Sequence, residues 1–312
     1  MRLKRLYLSN KVFLLVLIQF CMFLKLQPTI RAEGIAGAAT LKIVPSARAS
    51  AMGDTFTGVA DDVNTIFFNP AGLSLLQRPS VSFMSKQMIG NTNLNAMSIN
   101  FSLKDNRHIG FGVITFNGGM AEIVSGSITR TIRAQEDYLL ICSYSPEITK
   151  DGMAGVNIKA LKSTLAEEYS ANAYALDIGV MLSQNKVEGN SFGFVIQNID
   201  VGNGIKYIDY SDPLPLTYRA GWGYHKILNK NKKFLFCLDW VKIYGDVWKI
   251  NLGSELVMGD SLVLRIGYKY GYAFTNLSTG IGIYLGKIKF DIAGSLLGNL
   301  GTNYQSSLSM NF

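Results

Sequence analysis

The stretch LVLRIGYKY, Leu262–Tyr270, alternates strictly between two kinds of side chain. One face carries Leu262, Leu264, Ile266, Tyr268 and Tyr270, and the other carries Val263, Arg265, Gly267 and Lys269. A period of two is typical of a β-strand, because successive side chains point to opposite sides of the strand. The contrast between the two faces indicates that this strand separates two different environments.

The same alternation recurs along the chain from residue 80 onward. It predicts about fourteen strands: 80–88, 93–103, 107–116, 137–145, 153–162, 170–183, 191–199, 214–226, 232–241, 247–257, 261–270, 276–286, 287–294 and 304–312. This is about 17 residues for each strand and its turn, which suits tilted membrane strands of about 9–11 residues plus connections.

The second face of these strands is unusually rich in Gly, Ala and Ser. A soluble sandwich would instead expose a solvated face rich in Thr, Lys and Glu, although a secreted sandwich stays open on composition alone. Small residues with scattered charges suit a barrel interior, and an aromatic-rich face suits lipid. We therefore predict an all-β fold, a transmembrane antiparallel β-barrel of about 14 strands over residues 79–312, with a short N-terminal hatch over 33–78.

The lengths of the predicted connections depend on parity. Long ones, 117–136, 200–213 and 295–303, follow odd-numbered strands, whereas even-numbered strands are followed by short turns such as Gly259-Asp260. Bacterial barrels have short periplasmic turns and longer outer loops, so the chain is expected to enter its first strand from the periplasm. The last predicted strand ends on Phe312, which resembles the C-terminal signal recognised by the outer-membrane barrel-assembly machinery.

Residues 1–32 have the features of a secretory signal peptide. Residues 1–11 contain four basic residues and no acid, and Val12–Leu24 is almost entirely apolar. The apolar run is shorter than the roughly 20 residues that a membrane-spanning helix needs, so a permanent anchor is the weaker alternative. We expect cleavage after Ala32, and lipidation of Cys21 is disfavoured by the bulky residue before it.

Composition excludes several classes of protein. The chain has 312 residues, 48% hydrophobic residues, 31 Gly and 7 Pro, which argues against a disordered or collagen-like chain. Its formal charge of +8 would suit nucleic acid, but removal of residues 1–32 leaves 24 basic against 22 acidic residues. The mature protein is then nearly neutral, and no nucleic-acid partner is expected. It would retain Cys142 and Cys237, whose pairing the sequence leaves open.

The segment before the predicted barrel contains PSARASAMGDTFTGVADDVNTIFFNPAGL at Pro45–Leu73, and LPLTYRAG follows at Leu214–Gly221. This arrangement resembles the PorV/PorQ branch of the FadL-like outer-membrane β-barrel proteins, including its spirochaete members. The resemblance implies a fourteen-stranded barrel with a hatch in its lumen. In fatty-acid-transporting relatives an Asn-Pro-Ala motif, matched here by Asn69, Pro70 and Ala71, lies in that hatch, and a kinked strand opens a lateral exit.

Two further features fall in the hatch. Gly53 is expected to end a short helical stretch over Ser46–Met52. The adjacent Asp61 and Asp62 would bind a cation or pair with a lumenal arginine such as Arg219 or Arg265. The ion pair is favoured, because two neighbouring carboxylates supply too few oxygens for a calcium site.

Charged residues of both signs fall on the strand faces opposite the aromatics. Facing lipid, a Lys or Arg would cost about 2–4 kcal/mol near the midplane, so these residues are expected to line the lumen and hold the hatch. The predicted lumenal wall comprises Lys159, Asp177, Arg219, Asp239, Lys249, Glu255, Arg265 and Asp291.

Other candidate sites are weaker. His108 and His225 lie on separate predicted strands without metal-ligand spacing, so neither a metal nor another cofactor is expected. Gly280–Lys287 lacks the spacing of a phosphate loop and lies in a predicted strand. The lysines of 226–233 fall in a predicted turn without aromatic residues to stack on bases, and a solvated turn is the simpler interpretation.

Three functions remain open. The first is transport of small hydrophobic or amphipathic solutes, such as fatty acids, across the outer membrane without chemical change. The second, implied by PorV-type relatives, is binding of secreted protein cargo in type IX secretion, and the third is a structural surface barrel. An enzyme is the least supported class, because no residue pattern specifies a catalytic pairing. Outer-membrane lipids and the barrel-assembly machinery are the other expected partners.

Overall fold

The computed structural model describes residues 36–125, 128–183, 188–274 and 277–312. The predicted signal peptide, residues 1–32, lies outside the described residues. The described chain forms strands β1 (Ser80–Met88), β2 (Thr92–Ser102), β3 (Arg107–Asn117), β4 (Met120–Ser125), β5 (Ile128–Arg133), β6 (Gln135–Thr149), β7 (Gly152–Leu165), β8 (Tyr169–Ser183), β9 (Gly189–Asp200), β10 (Ile205–Lys206), β11 (Ser211–Asp212), β12 (Thr217–Asn229), β13 (Lys232–Ile243), β14 (Trp248–Met258), β15 (Leu262–Tyr270), β16 (Leu277–Leu285), β17 (Ile288–Leu296) and β18 (Thr302–Asn311).

Fourteen of these strands close into one antiparallel barrel, in which each strand pairs with the barrel strands before and after it in the chain, β3 with β6 and β9 with β12 among them, and β1 pairs with β18. The fourteen strands predicted from the alternation correspond one to one to the barrel strands. The eighth begins at Thr217 rather than at 214, where Pro213 and Pro215 lack the N–H that a strand ladder needs. The predicted fold class is confirmed.

The two ends of the barrel differ as the connection lengths predicted. At one end, which we call the loop end, residues 117–136 contain the β4–β5 hairpin and residues 200–213 contain the β10–β11 pair. The opposite end, which we call the turn end, carries short connections such as Gly259–Ser261. The two small hairpins were not predicted, because they lie inside segments that were treated as loops.

The two faces of each strand have different surroundings. In β15, Ile266 and Tyr268 are 54% and 45% exposed, whereas Val263 and Arg265 are 0% and 4% exposed. Leu, Ile, Val, Phe and Tyr side chains are exposed in the same way on the outside of the other barrel strands. Such a belt of exposed apolar residues is what a bilayer requires, so the outward faces are those that contact lipid.

The segment before β1 forms short helical turns inside the barrel: Ala39–Lys42, Ala47–Ala51, Val63–Phe67 and Pro70–Leu75. Three of them begin with a side-chain cap, in which Ser46, Asp62 or Asn69 accepts a hydrogen bond from a backbone N–H two or three residues ahead. In the described ranges, no helix is long and apolar enough to cross a membrane.

The wall is regular along most of its length. Pairing of β3 with β2 and with β6 runs without a register shift. Away from the strand ends, the described wall has one irregularity, a bulge in β9 opposite Leu176 and Ile178. Asn198 takes a φ of +60° there, and the Asp177 carboxylate accepts its N–H at 2.8 Å.

Ile266→Arg tests the assignment of the outward face. A guanidinium near the bilayer midplane costs about 2–4 kcal/mol, so we expect the free energy of unfolding in lipid vesicles to fall by about that amount. Urea titration followed by heat-modifiable gel mobility measures it, with Ile266→Leu as the size-matched control. Equal stability of the two variants would show that Ile266 does not face lipid.

Candidate functional site

The N-terminal hatch, residues 36–79, passes through the lumen from the loop end to the turn end. Near its start, the Gly37 N–H donates to the Pro213 carbonyl at the loop end, at 3.0 Å. Near its end, the Ser74 hydroxyl donates to the Ser145 carbonyl of β6, at 3.1 Å, and the Asn100 amide of β2 donates to the Arg78 carbonyl at 3.3 Å. Residues 45–60 and 63–74 between them are buried. The hatch therefore fills the barrel along its axis.

Glycines on the inner wall let the hatch backbone approach the strands closely. A Cβ at Gly267 would lie 2.0 Å from the Gly53 nitrogen, and one at Gly193 would lie 2.0 Å from the Thr57 carbonyl oxygen. Gly155, Gly179, Gly221, Gly253 and Gly280 have equally short distances to hatch atoms or side chains. Gly53 itself has a φ of +69° after the helix Ala47–Ala51, as predicted, and packs on β14 and β15.

The Asn-Pro-Ala motif is a structural joint between hatch and wall. The Asn69 side-chain oxygen accepts the Ala71 N–H at 3.2 Å, which caps the turn that begins at Pro70. The Asn69 amide nitrogen donates to the carbonyls of Thr57 in the hatch and Val180 in β8, at 3.1 and 3.2 Å. All three motif residues are fully or nearly fully buried, so one side chain joins two hatch segments to the wall.

Asp61 and Asp62 pair with a different arginine from those expected. Arg48 of the hatch lies 2.6 Å from Asp61, 3.1 Å from Asp62 and 2.8 Å from Glu255 of β14. Burial alone would lower the pKa of Arg48, but the carboxylates of Asp61 and Glu255 outweigh it and the pKa is raised. The expected contact with Arg219 or Arg265 is replaced because Arg48 lies between the two carboxylates and the wall.

The wall residues predicted to line the lumen are all buried. Arg265 bridges Glu255 and Asp291 at 2.7 Å each, and Lys159 lies 2.7 Å from Asp177. Asp239 pairs with Arg219 at 3.2 Å and also accepts the N–H groups of Phe56 and Thr57. Lys249 pairs with Asp246. Buried charges are tolerated when they are paired in this way, and several of the pairs also hold the hatch.

Beside the first residues of the hatch, a cavity of about 450 Å³ lies inside the barrel toward the loop end. We call it the lumenal pocket. Its lining includes the apolar residues Leu41, Ile43, Val44, Met88, Val241 and Ile243. It also includes five cations and two carboxylates: Lys42, Lys86, Arg219, Lys249, Lys269, Asp54 and Asp246. The pocket thus joins an apolar surface to a positively charged one.

Lys86 differs from the other buried cations of the pocket, and Lys42 is exposed. It is 9% exposed and makes no hydrogen bond or ion pair with any residue in the described part of the chain. Lys269, by contrast, pairs with Asp54 of the hatch. The Asp54 Oδ1 and Asn303 Oδ1 atoms are buried without a hydrogen-bond partner among the described residues. These unpartnered polar groups point to a ligand or water in the pocket.

Two ionisable groups of the pocket lie outside the strands, the carboxyl of Asp54 and the phenol of Tyr272. Burial alone would raise the pKa of Asp54, but Lys269 and Lys86 outweigh it and lower the pKa. The Asp54 charge therefore stabilises the folded state at neutral pH, and this contribution is lost as the pH falls through the acid range. Burial raises the pKa of Tyr272 to about 12, so its ring, 4.6 Å from the Lys249 Nζ and 4.8 Å from the Lys269 Nζ, stays neutral.

Several candidates lie apart from the pocket. His108 is in β3 and His225 in β12, and the described residues contain no cluster able to hold a metal ion. Cys142 is exposed and Cys237 is buried, and both are free thiols. Gly280–Leu285 is part of β16. Phe312 is exposed beyond the end of β18, where its N–H donates to Pro79 at 2.9 Å.

Arg48, Asp54, Lys86 and Tyr272 were not predicted as site residues, and Lys269 was placed on the inner face of its strand without a role. Lys86 could have been found, since Ser80, Ser82, Met84 and Lys86 alternate onto the inner face of β1. Arg48 and Asp54 lie in the hatch, which has no period to indicate where each side chain points.

The geometry defines a class: a transmembrane barrel of fourteen strands whose lumen is filled by its own N-terminal segment beside a charged pocket.

No family model matches the sequence, and a search of curated proteins found no match. Solved structures share the fold. The toluene transporter TbuX of Ralstonia pickettii has a TM-score of 0.57 at 12% identity, with 91% of this chain and 99% of that chain covered.

Two other structures agree. The deltaS2S3 mutant of the monoaromatic hydrocarbon channel TodX has a TM-score of 0.62 at 13% identity, covering 86% of this chain and 99% of its own. A FadL homologue from Pseudomonas aeruginosa has a TM-score of 0.55 at 10% identity, covering 86% and 98%. At such identities the likeness shows the fold alone, and that barrel fold is the one that the resemblance of the hatch motifs implied.

Gly267→Ala tests the contact between hatch and wall. The new methyl group has no space beside Gly53, so we expect the barrel to fold while the hatch shifts and ion conductance in planar bilayers rises. Gly294→Ala is the control, because the nearest atom there is 3.7 Å from the new Cβ. The same low conductance in both variants would show that the hatch does not depend on this contact.

Proposed function

We propose that this protein is an outer-membrane channel, without enzymatic activity, for small amphipathic solutes that combine an apolar body with an anionic head. The lumenal pocket carries the proposal, because its lining combines apolar side chains with several cations, among them Lys86, which is buried without an ion pair in the described part of the chain. A purely hydrocarbon ligand would leave the buried Lys86 without a counter-charge of its own, because the nearby Asp54 already pairs with Lys269, and such a position is costly. A carboxylate or similar head would supply that charge.

The structural neighbours support transport as the type of activity. They are described as toluene transporters and a monoaromatic hydrocarbon channel. The pocket of this chain adds charge to an apolar surface, so its ligand is proposed to be amphipathic rather than a plain hydrocarbon. Outer-membrane placement is proposed on the same ground.

Passage requires the hatch to rearrange, since it fills the lumen below the pocket. Asp54 belongs to the hatch and pairs with Lys269 of the wall, close to Lys86. An anionic head in the pocket would compete with Asp54 for the same cations. Binding of the solute would then weaken one contact that holds the hatch in place.

Lys86→Met tests the role of the cation. In proteoliposomes, we expect uptake of octanoate to fall about tenfold or more, because the anion loses a charge-assisted contact worth about 1.5–3 kcal/mol. Uptake of toluene should change little. Lys162→Met, on the outer face of β7, is the charge-matched control.

Three results would count against this function. Failure of both probes to enter through the unsubstituted protein would reject transport and favour a structural barrel. Equal loss of octanoate and toluene uptake in Lys86→Met would indicate a general defect. Unchanged octanoate uptake in that variant would exclude Lys86 from the site.

A protein-binding role, as in the PorV/PorQ branch, is the second candidate, and the β4–β5 hairpin favours it. Met120, Ile123 and Val124 are 63%, 47% and 68% exposed. The Gly118 N–H donates to the Gln135 carbonyl at 2.8 Å, so the hairpin leaves the barrel through a closed neck. Exposed apolar side chains on a projecting hairpin suit a secreted protein cargo.

A photo-cross-linking residue at Val124 tests this role in cells. We expect exported proteins to be cross-linked from Val124 and not from Ile148, which is 63% exposed near the turn end. The cross-linked products are identified by mass spectrometry. Absence of exported proteins among them, or the same products from both positions, would reject cargo binding at the hairpin.

A further inference from the structure

A basic hairpin tip projects from the turn end, where β12 continues into β13. This β12–β13 tip, Lys226–Lys233, contains four lysines and no acid in eight residues. All four lysine side chains are exposed, and none forms an ion pair with a residue in the described ranges. The proposed function makes no use of this cluster, which lies at the opposite end of the barrel from the lumenal pocket.

The tip continues the lipid-facing surface of the wall. Along β12 the outward positions are Trp222, Tyr224 and then Lys226, and Lys226 is paired with Phe234 of β13. The Trp222 and Phe236 rings contact each other edge to face, with centroids 5.9 Å apart. Trp and Tyr at the edge of an apolar belt mark the level of the lipid headgroups. Lys226 therefore follows directly beyond that level, on the lipid side.

Lys232 and the apolar pair Ile227 and Leu228 lie beside Lys226 at the tip. Lys232 lies on the outward side of β13 by alternation, two residues before Phe234. A bulge between Ile227 and Asn229 disturbs the β12 register, and Ile227 and Leu228 are 38% and 49% exposed. Adjacent apolar and basic side chains at a membrane surface bury the former near the acyl chains while the latter contact headgroups.

The net charge around the tip stays positive. The neighbouring β14–β15 turn contributes one carboxylate, Asp260, and its Gly259 N–H donates to the Asn231 carbonyl at 2.6 Å. Glu188 precedes β9 on the other side. Four lysines against two carboxylates leave a surplus of basic charge. Each lysine next to an anionic membrane surface contributes about 1 kcal/mol to the free energy of binding to that surface.

We propose that the β12–β13 tip binds the phosphate groups of anionic phospholipids in the leaflet at the turn end. Lys226 and Lys232 contact the headgroup from the lipid side, and Leu228 lies against its acyl chains. The tip thereby fixes the depth and tilt of the barrel in the bilayer. The proposal rests on the transmembrane barrel and not on what the channel carries.

The test uses the full-length protein in detergent, titrated with dioleoylphosphatidylglycerol or the neutral dioleoylphosphatidylcholine and followed by native mass spectrometry. We expect tighter binding of phosphatidylglycerol, and a loss of affinity of about fivefold for each lysine removed in K226Q/K232Q. The control K104Q/K150Q removes two exposed lysines from other turns of the same end and should leave the affinity within twofold. Heat-modifiable gel mobility verifies that both variants fold.

Three outcomes would overturn the proposal. Equal affinity of the unsubstituted protein for both lipids would show that the tip does not recognise headgroup charge, as expected if it bound an acidic protein instead. The same loss in K226Q/K232Q and K104Q/K150Q would indicate a general effect of net charge. Undiminished phosphatidylglycerol binding by K226Q/K232Q would place the lipid site elsewhere.

Discussion

Contact between the hatch backbone and the barrel wall is the constraint on which the rest of the structure depends. Wall glycines such as Gly193 and Gly267 leave room for peptide groups of the hatch where any side chain would collide. Peptide groups brought inside the lumen lose their water and need hydrogen-bond partners. Gln197 supplies one, donating to the Phe67 and Phe68 carbonyls at 3.1 and 2.9 Å, and Asn69 and Asp239 supply others. Close packing and polar pairing therefore require each other.

Electrostatics acts on the same contact and divides the lumen into two parts. Around Arg48, carboxylates of the hatch and wall outnumber the cations that join them, whereas cations outnumber carboxylates around the lumenal pocket. Removing one member of a buried pair leaves its partner uncompensated, which costs more than the pair itself contributes. The hatch is consequently held by ion pairs whose other members are wall residues, such as Glu255 and Lys269. Lys86 is the buried cation of the pocket that remains available to a bound anion.

The period of two was sufficient to predict the barrel strands, their number and the face that each residue occupies, because lipid and lumen impose opposite demands along every barrel strand. It placed Lys159, Glu255 and Arg265 on the inner wall, where the structure has them. It could not predict which charges pair. The partner of Asp61 is Arg48, and their approach depends on the path of a hatch without regular period. The absence of an ion pair at Lys86 in the described part of the chain likewise depends on the three-dimensional arrangement and cannot be predicted from the alternation.

The fold alone does not determine what crosses the barrel, since structures described as hydrocarbon transporters share it at 12–13% identity. In the proposed function, the residues of the pocket make the difference. Because Asp54 belongs to the hatch and interacts with Lys269 and Lys86, a bound anion and a docked hatch draw on the same positive charge. Linkage then requires reciprocity: if the anion weakens hatch docking, a released hatch must raise the affinity for the anion by the same factor. The pocket would be both the binding site and the element that couples binding to opening.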